Sequence, residues 1–554
     1  MPVILAGLSL FYGLLSFGRY WIGPVSTQAE IDLHPSALPK YALYSVLRIA
    51  IAYGFSLVFT LIYGYVAACS RKAERFMIPL LDTLQSIPVL SFLPGVMISM
   101  VALFPNRQMG LELGSVLLIF TGQVWNMTFS FYSSLKSIPR EMYEAAQVYR
   151  LSWWQRFRQL ELPYAAIGLI WNSMMSVAGG WFFLMACEMF VLGNRDLRLP
   201  GLGSYLQTAA NAGNTRAILA GLAGMIGVIV LMDRLVWRPA IAWAEKFKFE
   251  QVEAAEAPRS RILDLLRRSR LLSLAAENSV MPIREALDLH FARVRMSSPI
   301  HVNRLGSKWV TRIVGAVALA GLAYAIAKML TLAVSVSGSD LRIIFLGAGA
   351  TFLRVEFVLV LAALWTIPVG TVVGLHPRLS ATAQPIAQIA ASVPATALFP
   401  VILLVLIRVG GGLGIGSIVL LLLGTQWYVL FNVIAGATAI PTDLKEVCDI
   451  YHLGRLERWR KLFLPGIFPY MITGFVTASG GAWNASIIAE YFHFRGRTIS
   501  TVGLGAVISQ ATDNGNFRVL MAATLVLAVI VVTINRVLWR RLYVLASTRF
   551  KLEG

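Results

Sequence analysis

Residues 141–163 read EMYEAAQVYRLSWWQRFRQLELP, and residues 443–465 read DLKEVCDIYHLGRLERWRKLFLP. Each segment follows a proline, Pro139 or Pro441, of the kind that suits a first helical turn. Each then reads as a short helix, a break, a second basic amphipathic stretch, and a Leu-Pro that opens an apolar helix. Glu144 and Glu446 stand 302 positions apart, as do Leu162-Pro163 and Leu464-Pro465. The register holds outward. Gly122, Trp125 and Phe129 match Gly424, Trp427 and Phe431. Trp181 and Glu188 match Trp483 and Glu490, and Gly201-Leu-Gly203 matches Gly503-Leu-Gly505. Towards the N-terminal side the offset becomes 306: Leu47-Arg48 matches Leu353-Arg354, and Ser86-Ile-Pro88 matches Ser392-Val-Pro394. A register kept over polar and apolar positions alike marks an internal duplication.

The copies are built to cross a bilayer. Of 554 residues, 57% are hydrophobic and 14% charged, against about 25% charged in soluble domains. Apolar runs such as Ile51 to Val66 and Ile313 to Ala333 approach the length needed to span a hydrocarbon core. Helices are expected near 2–20, 40–69, 76–103, 112–135, 161–191 and 215–237. A second set is expected near 309–333, 345–375, 380–407, 414–436, 464–492 and 516–540. The chain thus reads as an all-α integral membrane protein of about twelve transmembrane helices. A first unit covers 1–243 with its loop near 139–163, a basic linker covers 244–308, and a second unit covers 309–554 with its loop near 441–465. Six helices per copy give both the same orientation, a parallel repeat. Lys and Arg gather after the second and fourth helices and in the linker, whereas 20–39 contains neither. The positive-inside rule then places both termini, the linker and both quoted loops in the cytoplasm. The net charge of +20 is explained by these loops, and no nucleic-acid motif accompanies it. Cys69, Cys187 and Cys448 are scattered and suggest neither a disulfide framework nor a zinc site.

The paired loops resemble the EAA loop of ABC importer permeases. The matching residues are Glu144, Ala145, Ala146, Ser152, Trp154, Phe157, Arg158 and Leu162-Pro163, and in the second copy Glu446, Gly454, Trp459, Arg460 and Leu464-Pro465. The surrounding residues are most similar to the fused permeases of anion importers for nitrate, sulfonate, taurine and bicarbonate. There are departures. The family's glycine six residues after the motif Glu is Arg150 in one copy and His452 in the other, and Val447-Cys448 replaces Ala-Ala. The resemblance implies an ATPase-coupling surface at Glu144, Ala145, Ala146, Arg150, Glu446, His452 and Gly454, bulkier than usual. It also implies two separate ATP-binding subunits, a periplasmic or lipoprotein substrate-binding protein, and a place in a bacterial or archaeal plasma membrane. The chain itself would need no cofactor and perform no covalent chemistry. It lacks the G-x-x-x-x-G-K-[ST] loop by which such a chain would hold its own ATP.

Within the membrane, Glu188 and Glu490 are functional candidates because a buried acid is costly. They read equally as helix-end acids paired with an Arg. Trp181 and Trp483 line a path or pack between helices. Arg48 and Arg354, early in their helices, read as snorkelling to an interface. The glycines at 201, 203, 503 and 505 read as re-entrant turns where a gate could form, or as ordinary turns. The rival to an ATP-driven importer is an ion-gradient-driven secondary transporter, which would show the same repeat. Against it stand the paired loops and the lack of an intramembrane carboxylate cluster.

Overall fold

The computed structural model describes residues 30–247 and 336–549, apart from 106, 193, 194, 411, 495 and 496, with a few scattered positions elsewhere. The helices expected near 2–20 and 309–333, and the linker with its interfacial stretch, lie almost wholly outside the described residues.

The first unit contains α1 (Leu38–Cys69), α2 (Arg71–Ser86), α3 (Leu93–Leu103), α4 (Gln108–Lys136), α5 (Arg140–Val148) and α6 (Leu162–Glu188). A short antiparallel hairpin follows (β1 Val191–Leu192, β2 Arg195–Asp196), then α7 (Leu202–Asn211) and α8 (Thr215–Met232). The second unit repeats the order. It comprises α9 (Gly338–Leu375), α10 (Pro377–Ser392), α11 (Ala395–Arg408), α12 (Leu413–Thr438), α13 (Thr442–Ile450) and α14 (Leu464–Ala489). Its hairpin (β3 Tyr491–Phe494, β4 Arg497–Ser500) leads to α15 (Leu504–Asp513) and α16 (Phe517–Ile534). Among the described residues seven helical spans are long and apolar enough to cross a membrane, or eight if one bent pair counts as a span. The protein is an all-α, multi-pass membrane protein.

Two expected spans are broken. The stretch 76–103 divides at Ile87-Pro88, and 380–407 divides at Val393-Pro394, where the axis turns by 82°. The residue before a proline is driven out of the helical region. Ile87 (φ −83°, ψ 127°) and Val393 (φ −76°, ψ 116°) are accordingly extended. Short hairpins and the ten-residue helices α7 and α15 also interrupt what reads in sequence as loop.

In each unit three long helices pack side by side: α1, α4 and α6, and their counterparts α9, α12 and α14. Small residues let them approach. A Cβ on Gly374 of α9 would lie 2.5 Å from the Ile434 carbonyl oxygen of α12, the close packing that membrane helices favour. The broken helices reach across to the other unit. The turn at Val89–Phe92 packs on α14, while α10 and α11 pack on α6, α7 and α8. The outer faces carry large exposed apolar side chains, including Phe55, Val58 and Ile62 on α1 and Leu353, Val360 and Leu364 on α9, as lipid contact demands.

Candidate coupling loops and translocation path

The two loops have one backbone design. After α5, Arg150 N–H bonds the Gln147 carbonyl at 2.9 Å and Leu151 N–H bonds the Ala146 carbonyl at 3.0 Å. After α13, His452 and Leu453 make the same bonds to Asp449 and Cys448, at 3.1 and 3.0 Å. This is the Schellman helix ending, whose turn residue is left-handed and usually glycine. Arg150 (φ 52°) and His452 (φ 50°) occupy that position without being glycine, at a cost of about 1 kcal/mol each. The turn pushes an apolar-aromatic pair outward: Val148-Tyr149 in one loop, Ile450-Tyr451 in the other, with Tyr149 78% and Tyr451 74% exposed. Glu144, Ala145 and Glu446 are exposed beside it, whereas Ala146 and its counterpart Cys448 turn inward. Gly454 N–H then bonds Glu457 Oε2 at 3.2 Å, and Ser152 and Gln155 form a reciprocal cap in the first loop.

Both loops re-enter the bundle through a π-turn, at Phe157–Glu161 and at Trp459–Phe463. Pro163 and Pro465 lie just beyond. A proline lacks the N–H for the bond four residues back and its ring crowds that carbonyl, so the preceding turn widens. The fastening of the loops differs. In the first, Trp153 Nε1 donates to Tyr65 Oη at 2.5 Å and Arg156 Nε to the buried Glu161 Oε1 at 3.0 Å. In the second, Glu161 is replaced by Phe463, and the ion pairs Arg458–Asp449 (2.7 Å) and Lys461–Glu457 (3.1 Å) lie in the open.

The far ends of α6 and α14 hold the other sequence candidates. Arg48, Glu112 and Glu188 are 0% exposed. Arg48 makes a two-pronged contact to Glu112 (Nε 2.7 Å, Nη2 2.6 Å) and reaches Glu188 Oε1 at 2.7 Å and the Pro200 carbonyl at 2.9 Å. Glu188 also accepts from Ser45 Oγ and, through Oε2, from Gly203 N–H, each at 2.7 Å. The second unit repeats this around Glu490, which accepts from Arg354, from Thr351 Oγ1 (2.7 Å) and from Gly505 N–H (2.8 Å). A carboxylate thus sits on the positive N-terminal end of α7 and of α15. The matched glycines follow from that approach: a Cβ on Gly201 would fall 2.2 Å from Glu188 Oε1, and one on Gly503 2.1 Å from Glu490 Oε2. They open buried helices rather than re-entrant turns, with extended backbone at φ −179° and 176°. Glu188 and Glu490 are wholly buried staples, not side chains presented to solvent. Arg48 is interior and paired, which corrects the expectation that it snorkels. Trp181 and Trp483 are buried in the packing around these ends.

Cavities lie where the units meet. One, of about 470 Å³, is at the hairpin end, and its walls include matched pairs 302 residues apart: Met189 and Tyr491, Val191 and His493, Gln207 and Ser509, Asn211 and Asp513. Two smaller ones, of about 160 and 150 Å³, share Gly122, Asn126, Tyr428, Gly481 and Asn484. Asn484 Oδ1 accepts from Leu90 N–H of the other unit at 3.3 Å, and Leu90 lines the large chamber. That bond therefore stands between the chamber and the cavities below. In the chamber wall, burial and the neighbouring Asp513 carboxylate push the Tyr491 phenol up, keeping it a donor to Asp513 Oδ2 at 2.7 Å. Sequence reading missed this file of cavities. Gly122 and Trp125 with Gly424 and Trp427 mark the repeat, and the signal overlooked was that these matched positions line the smaller cavities.

The family described as binding-protein-dependent transport system inner membrane component matches residues 35–236 and 366–547, one region in each unit. Among similar proteins, a nitrate import permease of Leptolyngbya laminosa is 28% identical over 187 residues, 34% of this chain and 63% of that protein. A bicarbonate transport system permease of Synechococcus elongatus is 26% identical over 199 residues, 36% of this chain and 68% of that protein. The taurine transport system permease of Escherichia coli is 27% identical over 197 residues, 35% and 68%. The match to the first of these spans less than two thirds of its length. With two matched regions and the same repeat in its loops, staples and cavity walls, the chain belongs to the inner-membrane components of binding-protein-dependent transport systems, as a duplicated permease.

Proposed function

We propose that this chain supplies both permease units of an ABC importer for a small oxyanion, nitrate, a sulfonate such as taurine, or bicarbonate. Two ATP-binding subunits dock on the loops at 139–163 and 441–465 from the cytoplasm, and a substrate-binding protein delivers at the hairpin end. The observation that carries this reading is the continuity of α6 and α14. Each runs from a docking loop, past the cavities, to a buried staple beside the chamber, over about 40 Å for α6 at 1.5 Å per residue. Closure of the ATPases on Tyr149 and Tyr451 would move these helices as rigid bodies. The staples would carry the movement into α1, α7, α9 and α15, opening one end of the cavity file while closing the other. Glu144 and Glu446 offer charge-assisted contacts to the ATPases.

The test is uptake by liposomes holding this chain with its ATPases and binding protein. Uptake should require ATP and survive collapse of the proton gradient. Uptake by the chain alone, driven by an ion gradient, would establish the secondary transporter instead.

A further inference from the structure

We infer that the two units part along one seam only, where α10 and α11 of the second unit lie on the first, and that Asn484 and Thr524 are positioning residues that hold the opposite seam shut. The inference rests on the reading of the cavities as a translocation path and names the side on which that path opens. Three observations carry it.

The duplication supplies two seams of one design, since in each unit a helix broken before a proline crosses to the other unit. At the first seam the crossing turn is bonded to what it lies on. A helical segment that starts afresh after a break exposes backbone N–H groups with no partner inside the segment. Leu90 is such a donor, and Asn484 Oδ1 of α14 accepts from it at 3.3 Å. The carbonyl of the next residue, Ser91, accepts from Thr524 Oγ1 of α16 at 3.5 Å. The second seam lacks both bonds. Thr396 stands at the position of Leu90, is 2% exposed, and its Oγ1 has no partner among the described residues. The matches of Asn484 and Thr524 are Phe182 and Leu222, whose side chains neither donate nor accept. Phe182 shares a cavity with Pro394 and Ala395, so the hydrocarbon stands where the amide would be needed. The charges repeat the pattern. Arg238 is taken up inside the first unit by Asp233, at 2.8 Å. Asn535 replaces that acid in the second unit, and Arg540 there acts on Asp82 of α2, across the first seam. Gln388 replaces Asp82 at the second seam and donates to Met174 Sδ, a weak acceptor. Parting the first seam strands a backbone donor and separates opposite charges, and an interior donor without a partner is unfavourable. The second seam gives up apolar contacts and one weak bond.

The test uses the full chain with its ATPases and binding protein in lipid nanodiscs, with Cys69→Ser to remove the native thiol that is not buried. Spin labels are placed at matched, exposed positions across each seam: Leu84→Cys with Val537→Cys for the first, Ala390→Cys with Leu235→Cys for the second. Electron-resonance distances are compared between the nucleotide-free complex and the complex trapped with ATP and vanadate. The second pair should shift by about 5 Å, whereas the first should hold within about 2 Å. Adding Asn484→Leu and Thr524→Val should let the first pair shift as well, an effect that a merely structural role would not produce. Unchanged nucleotide-free distances show that the variant keeps its fold. A first pair that still holds in that variant would take the positioning role from both residues. Equal shifts at both seams of the parent chain, or a shift at the first alone, would overturn the inference and leave the path reading standing. If neither pair shifts, the units do not part, and both readings fall together.

Discussion

The two loops share a turn, an outward tyrosine and a π-turn into the membrane helix, yet among the described residues the first is fastened by a buried acid and part-buried aromatic contacts and the second by exposed ion pairs. Tyr65, Trp153, Arg156 and Glu161 tie it to α1 through aromatic and ionic contacts. The second relies on exposed ion pairs, which are individually weak. The staples show the same inequality. Arg48 answers two buried acids, Glu112 and Glu188. Arg354 answers Glu490 and remains 11% exposed, and Gly414 stands in the place of Glu112. The first unit has the more heavily cross-linked frame. The comparison teaches that the two copies share one backbone geometry in their loops, whereas their side-chain fastening is unequal.

The largest effect expected of that inequality is at the staples. Arg48→Met leaves two carboxylates buried without their cation, and removing one partner of a buried pair costs about 3–5 kcal/mol. Arg354→Met strands one carboxylate, which keeps its bonds from Thr351 and Gly505. The yield of folded, monodisperse protein and its thermal midpoint in detergent should fall much further for the first variant than for the second. Equal losses would mean that the second acid of the first unit contributes nothing.

Next come the contacts proposed for docking. Glu144→Arg and Glu446→Arg should each weaken ATPase copurification about tenfold, a single charge-assisted contact reversed, while membrane insertion is retained. The first should be the more damaging, because Glu144 sits beside Ala145 on an anchored loop and Glu446 beside the larger Val447 on a looser one. Wild-type association in the double variant would remove the coupling role from both.

How much of this was legible in the sequence depends on the kind of signal. The repeat, the loops and the all-α membrane class follow from spacing and hydropathy, which need no tertiary information. The breaks at Pro88 and Pro394 were written in the sequence as well, but an apolar run on both sides of a proline reads as one span. The partners of Glu188 and Glu490 were half visible. Arg48 and Arg354 keep register with each other, but 140 residues separate Arg48 from Glu188, and only the packing of α1 against α6 joins them. Glu112 had no counterpart to draw attention to it. The glycines at 201 and 503 were found by register, while their reason, a carboxylate in the space of a Cβ, lies in another helix. Arg150 and His452 stood out in the sequence as departures at one position, and the structure gives the physical content of that departure, a left-handed turn.

Those turns yield a smaller effect. Arg150→Gly and His452→Gly should each raise stability by about 0.5–1 kcal/mol by removing the left-handed cost, seen as a small rise in thermal midpoint. A gain in stability with loss of ATPase association would show that the side chain itself contacts the partner. Loss of stability in either variant would contradict the assigned turn.

The smallest effect lies at the membrane edge of the first unit. Lys136 Nζ and Tyr132 Oη both donate to Glu74, at 2.7 Å each, and tie α2 to α4. The Lys136 contact first, and the Tyr132 hydroxyl second, hold the Glu74 carboxyl below its usual range. A carboxyl whose folded value is depressed adds stability that is fully present above the unfolded value of about 4.3. That stability is lost as pH falls through the folded value. The pair is partly exposed, so its worth is about 0.2–1 kcal/mol. The second unit has Ser380 and Thr438 at the matched positions, and Thr438 Oγ1 donates instead to the Gly374 carbonyl at 3.3 Å. Lys136→Met should therefore lower the thermal midpoint slightly at about pH 7, and by less at an acid pH below the depressed folded value of Glu74. Thr438→Val, which removes a neutral hydrogen bond, should lower it by the same amount at both. If the two variants share one pH dependence, the ionic tie of the first unit is not holding α2 to α4, and the inequality between the units narrows to the staples and the anchored loop.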